Sequence, residues 1–333
     1  MNNTLSIYFD FIRFVAALMV VHSHILTSGL IPLDLSIFEY GREAVIIFFV
    51  LSGYVISYTT KIKNTNLKDY FVARASRIYS VALPVILLAF IFGFFGAYFV
   101  PEAFSDFYQI NKPQIYIPFH LLFLGEVASF YEKPFLITPY WSLSYEVWYY
   151  VIFAIGFFCQ GWKKIVLLVL LFLFLGFRLT LLFPIWYSGV LLYKLNQHLK
   201  LKRSLAWFLF ILSLSLFVFF KSSGAIESLR HYTVSHWPDS LGALASADRV
   251  LSDYIFCLLI CINFASVNGI NFNLSSKIKG LIRGLSSYTF TLYLSHMLII
   301  EMYIRLTKHS FTTSWAPLIF TLVSIAIFTF LLG

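Results

Sequence analysis

Charge is what this chain has least of. Only 12% of its 333 residues are Asp, Glu, Lys or Arg, against about 25% in a soluble globular chain, and that shortage excludes a soluble enzyme. Cysteine is nearly as scarce. Cys257 and Cys261 sit one turn apart in one apolar run and Cys159 in another, so neither a disulfide framework nor zinc-ligand spacing is present. They read as small packing residues, and no metal is expected. No small-residue cleavage pattern follows the first apolar run, which carries Arg13, His22 and His24; it reads as a retained span rather than a signal peptide. What is abundant is hydrophobic: 60% of the residues, 38 of them Phe, with a mean hydropathy of +0.83. The solvent of such a chain is mostly lipid, its length limits it to about a dozen spans, and no separate soluble domain fits beside them.

Lys and Arg outnumber Asp and Glu by 24 to 15, yet the basic residues fall in short clusters between apolar runs. Membrane topology explains them and nucleic acid is not an expected partner. The runs are continuous over about 20 residues, which selects helices over a transmembrane barrel. Spans are predicted near 8–30, 41–60, 79–100, 141–160, 164–182, 184–197, 204–220, 249–268, 287–306 and 315–333. The fold class is therefore all-α, a polytopic helical bundle of about ten spans forming one membrane domain over residues 1–333. Basic clusters follow the second, fourth, sixth and eighth spans. With both termini cytoplasmic, all four face the cytoplasm, provided the leftover run 115–128, with Pro118 and His120, is interfacial or re-entrant. The expected location is a bacterial cytoplasmic (inner) membrane.

An ionisable side chain inside a span costs a few kcal/mol, so each is a candidate site. Arg13 and His24 are eleven residues apart, which places them on one face of a helix about 16 Å apart; His22 lies on another face. Asp10, one turn before Arg13, can pair with it. The bland alternative is that Arg13 snorkels and His24 caps the far interface. Ser142 and Glu146 are one turn apart near the opposite face, with Tyr149 and Tyr150 continuing that side. Glu146 could orient a histidine or take a proton itself, or be a solvated acid in an aromatic belt. Arg74 and Arg77 sit one turn apart before the third span, where they set topology or clamp phosphate bidentately. Tyr288, Tyr293, His296 and Glu301 add polarity to the ninth span, for which helix packing is the commoner fate.

Five segments in order carry a resemblance: Asp10-Phe-Ile-Arg13 with ten residues before His24; Phe48-Phe49-Val50-Leu51-Ser52-Gly53-Tyr54; Arg74-Ala-Ser-Arg77-Ile78; Trp141-Ser142-Leu143-Ser144-Tyr145-Glu146; and Ser287-Tyr288 leading to Tyr293 and His296. Together they resemble the acyltransferase-3 family of integral membrane acyltransferases, from residue 8 to about 300. The sequence departs from the family pattern at Ala44, where a glycine is usual, and at Ser80, where a proline is usual and here comes only at Pro84. Neither change touches an ionisable group. Some members carry an external esterase-like domain, which is not expected here.

The resemblance implies transfer of an acyl group, usually acetyl from acetyl-CoA, to a hydroxyl of a glycan such as capsule or lipopolysaccharide, or of another small acceptor. Arg13, Arg74 and Arg77 would hold the acyl-CoA phosphates. His24 would act as general base or be transiently acylated, with Glu146 orienting it or relaying its proton. Asp10, Ser52, Gly53, Trp141, Ser142, Tyr288 and His296 are the expected supporting residues. The rival class is a secondary transporter or flippase whose buried His, Glu and Arg form a proton or substrate path, against which stands the lack of an inverted repeat.

Overall fold

Apolar runs in lipid must satisfy every backbone N–H and C=O internally, and so they coil into helices. A computed structural model of the protein describes residues 3–30, 39–63, 66–238, 244–307 and 315–333. Among the described residues there are thirteen α-helices and no strand, the expected all-α class. Ten are 15 residues or longer: α1 (Asn3–Thr27), α2 (Gly41–Ile62), α3 (Leu67–Phe99), α5 (Tyr140–Phe158), α6 (Gly161–Leu175), α7 (Phe177–Asn196), α8 (Arg203–Ser222), α10 (Val250–Val267), α12 (Thr289–Thr307) and α13 (Ala316–Leu332). The short α4 (Pro113–Leu121), α9 (Ala225–Ser235) and α11 (Ser276–Ser287) lie in the connections at the ends of the bundle. By length and hydropathy alone α1, α2, α3, α8 and α10 suffice to cross a bilayer. The outer surface is apolar: Leu173, Phe219 and Leu331 are each more than two-thirds exposed, a face that fits lipid rather than water.

All four basic clusters gather at one end, with the start of α1 and the close of α13. There Lys61 Nζ donates to Gln197 Oε1 at 2.9 Å, and Arg283 of α11 reaches Asn3 at 3.5 Å. This is the basic end; the 100–139 connection, containing α4, lies at the other. The run 115–128 is no full span: α4 is nine residues long and is followed by a 3-10 turn over Leu124–Glu126.

Two boundaries differ from expectation. The third helix begins at Leu67 rather than near 79, because Asn66 caps it by accepting from the Asp69 backbone N–H at 2.8 Å. Arg74 and Arg77 therefore lie within α3, whose 33 residues reach about 50 Å. The break expected near 183 falls instead at Gly176, which takes φ +81 with its would-be Cβ 2.9 Å from Ala128; Pro184 lies inside α7.

Glycines set how closely the central helices pack. A Cβ on Gly53 of α2 would stand 2.1 Å from the Trp186 carbonyl oxygen of α7, and one on Gly189 of α7 would stand 2.0 Å from that of Val50. The two backbones thus meet in reciprocal contact, and this seam holds α2 rigidly beside the site. At Ala44, where the family pattern has glycine, the methyl is fully buried beside Ala16, Val20 and Tyr293.

Candidate active site

From the basic end a vestibule of about 330 Å³ opens between Arg13, Arg77, Ser286, Thr289 and Gly333. It shares Arg13, Arg77, Thr289 and Phe290 with a narrower cavity of about 60 Å³, so the two form one funnel. The narrow part is lined by Arg13 from α1, Ser52 from α2, Arg74 and Arg77 from α3, Ser142, Glu146 and Tyr150 from α5, and Tyr293 from α12. Asp10 holds Arg13 at 3.7 Å and accepts from Ser286 at 3.5 Å. Arg74 Nε is buried without a hydrogen-bond partner among the described residues, a donor that an incoming acceptor oxygen would satisfy.

Deeper in, Glu146 Oε1 accepts from Ser52 at 2.5 Å and from Tyr150, and Ser52 in turn accepts from the Trp186 indole at 3.1 Å. Tyr150 continues the Ser142–Glu146 side as expected. Tyr149 does not: its hydroxyl donates to the Leu179 carbonyl at 2.8 Å. Ser142 and Tyr293 bond each other at 2.5 Å over the Pro139 carbonyl.

One turn beyond Tyr293 on α12 stands fully buried His296. Its Nδ1 lies 2.8 Å from the Leu292 carbonyl oxygen, and its Nε2 lies 2.8 Å from His24 Nδ1. A carbonyl only accepts, so His296 Nδ1 carries the hydrogen. In a neutral ring Nε2 is then the acceptor, and His24 Nδ1 must donate to it. Among the described residues His24 Nε2 has no hydrogen-bond partner, which leaves it the free lone pair that a general base requires. The expected contact between Glu146 and His24 is not made; His296 takes that orienting place, and Glu146 faces the arginine cavity.

Residues 6–333 match the acyltransferase-3 family model, described as an acyltransferase domain. The chain belongs to the acyltransferase-3 family. It is also similar to an O-acetyl transferase of Shigella phage Sf6, at 35% identity over 138 residues, or 38% of this chain. That match spans 41% of the phage protein's length. No solved structure matches this chain.

Of the seven expected supporting residues only Ser52 and Ser142 line the cavity. Asp10 reaches it through Arg13 and His296 meets His24, and neither histidine is part of the lining. The other three stand apart. Gly53 serves the α2–α7 seam. Trp141 lies under the Arg42 guanidinium, 5.1 Å from ring centroid to Cζ. Tyr288 stacks on Phe330 at 6.1 Å between centroids.

A second buried charge cluster, at the end opposite the basic one, was not anticipated. Arg42 Nε donates to both Asp253 oxygens at 3.1 and 3.2 Å, and its NH2 donates to the Ser246 carbonyl at 2.6 Å. Glu43, fully buried, accepts from Lys221 and Arg249 at 2.9 Å each. Arg178 approaches Glu126 at 3.8 Å while donating to the Ala128 and Phe130 carbonyls. Pairing is what allows such charges to be buried, and these pairs tie α2 to α8 and α10, and α7 to the turn after α4. Arg178 and Asp253 inside apolar runs were the visible signal; Arg42 and Glu43 read as a span boundary.

Proposed function

We propose that this acyltransferase is a bacterial inner-membrane enzyme that moves an acetyl group from acetyl-CoA, entering at a cytoplasmic basic end, to a hydroxyl of an exported or cell-surface glycan. The observation that carries the reading is the open Nε2 of His24, held in its tautomer by His296 about 16 Å along α1 from Arg13. The donor set suits coenzyme A: three guanidinium groups converge on one funnel, and Arg74 keeps a buried donor unpaired. Planar guanidinium forks match phosphate oxygens. The acetyl group is supported by the name of the phage relative, and the glycan acceptor by the family resemblance.

In the step this geometry favours, His24 Nε2 takes the acceptor's hydroxyl proton as its oxygen bonds to the thioester carbonyl carbon. The C–S bond then breaks, and the coenzyme A thiolate leaves and takes the proton back from His24. His24 Nδ1 keeps donating to His296 throughout, so the imidazolium stays oriented without a carboxylate.

Membranes containing the protein, fed labelled acetyl-CoA, are expected to pass label to surface glycan, read by mass analysis beside membranes lacking it. Absence of any transfer or hydrolysis of acetyl-CoA would return the chain to the transporter class. The orientation is checked separately. A cysteine at Lys63 should resist impermeant thiol reagents in intact cells and one at Lys112 should react; the reverse labelling would move the donor site to the other side.

A further inference from the structure

On the far side of α2 from the arginine funnel, a groove of about 370 Å³ runs between α5, α6 and α7. At its basic-end mouth stand Lys61, Lys164 and Lys194, one each from α2, α6 and α7, and no carboxylate lines it. Further in, its walls are Phe157, Leu168, Phe172 and Phe183. It is open because α6 stands off from the bundle: of its 15 residues only Leu175 is buried. Gly156 adds to the gap, since a Cβ there would meet nothing within 4 Å.

The geometry points to a binding site for an anionic phospholipid of the leaflet on the basic side, its phosphate among the three ammonium groups and an acyl chain along the aromatic slot. Charge complementarity selects this occupant. Lys61 spends one donor on Gln197 at 2.9 Å and Lys164 one on the Gly156 carbonyl at 2.6 Å, leaving two hydrogens on each ammonium. A topology signal requires only that lysines lie on one side of the membrane. It does not require three helices to aim theirs at one apolar slot, which is the shape of an amphiphile with an anionic head. The groove shares no residue with the arginine funnel or the histidine pair, so the site stands independently of the catalytic reading.

The test is native mass spectrometry of the purified full chain, titrated with phosphatidylglycerol, phosphatidylcholine or soluble glycerol phosphate. One saturable phosphatidylglycerol adduct is expected, with phosphatidylcholine weaker. Each ammonium near a lipid phosphate contributes roughly a factor of five, so Lys61→Gln, Lys164→Gln and Lys194→Gln together should lower affinity on the order of a hundredfold. Gly156→Phe keeps every lysine and fills the slot, and should weaken both lipids. It also keeps the test decisive should the triple variant not fold. Phosphatidylglycerol preference surviving the lysine changes, adducts undiminished by Gly156→Phe, or equal binding of glycerol phosphate would each overturn the proposal.

Discussion

His24 Nδ1 and His296 Nε2 stand 2.8 Å apart with rings inclined by 25°, and the Leu292 carbonyl behind His296 decides which nitrogen carries each proton. His24→Ala should therefore cost about 10²- to 10⁴-fold in kcat with acetyl-CoA binding retained. His296→Phe should cost about 10- to 100-fold, because His24 loses the acceptor that fixes its tautomer. His296→Gln, whose amide oxygen can accept from His24, should recover part of that loss. The double variant lacking both histidines should be little worse than His24→Ala, as for residues acting as a unit. Full transfer by a folded His24→Ala protein would end the assignment, and equal loss in the Phe and Gln variants would reduce His296 to packing.

The arginines make a different prediction, because they act on the donor rather than on the reacting proton. Arg74→Lys and Arg77→Lys keep the charge and remove the planar fork. Each should raise KM for acetyl-CoA by about tenfold with kcat little changed, the signature of lost binding rather than lost transition-state stabilisation. Steady-state kinetics in reconstituted vesicles would separate the two. A KM unchanged in both variants would leave the pair with topology alone.

The arginine half of the site was legible in the sequence because helix periodicity is a local rule. Arg13 with Asp10, and Ser142 with Glu146, lie one turn apart; Arg13, Ser142 and Glu146 line the cavity, and Asp10 pairs with Arg13 as the spacing requires. Partnership across helices is not local. His24 and His296 are separated by 272 residues and Glu146 and Ser52 by 94, and periodicity cannot say which side chain a distant helix brings alongside. The same limit hides the Arg42–Asp253 pair, whose members lie 211 residues apart. Helix ends were misplaced where capping outweighed hydropathy, at Asn66 and at Gly176.

The α2–α7 seam predicts stability effects that hydropathy would not. Gly53→Ala and Gly189→Ala place a methyl about 2 Å from a carbonyl oxygen of the facing helix, and backbone cannot yield as a flexible side chain can. Each should lower stability by about 2–3 kcal/mol or abolish insertion. Gly284→Ala, on α11 where nothing lies within 4 Å, should instead stabilise by roughly 0.5–1 kcal/mol through helix propensity. Thermal unfolding in detergent measures all three, and a tolerated Gly53→Ala would mean that the helices are not in the close contact described.

Glu126 supplies a pH dependence of definite sign. It is 1% exposed, and burial pushes its carboxyl up to about 7 against the pull of Arg178. The ion pair is too loose to prevent this: the charges are 3.8 Å apart, and among the described residues Glu126 Oε1 and Arg178 Nε both lack hydrogen-bond partners. Because the folded value lies above the unfolded one near 4.5, the folded state binds a proton between pH 4.5 and 7 that the unfolded state does not. Its contribution to stability is thus greatest below pH 4.5 and falls as pH rises to 7, by about 3 kcal/mol at most. Glu126→Gln keeps the neutral shape and cannot ionise. The variant should match the wild type near pH 4.5 and exceed it near pH 8, the gap opening across that window when melting temperatures are compared at each pH. A variant less stable than the wild type at pH 8 would show instead that Arg178 holds a charged Glu126, and the buried pair would then be a net stabilising bridge.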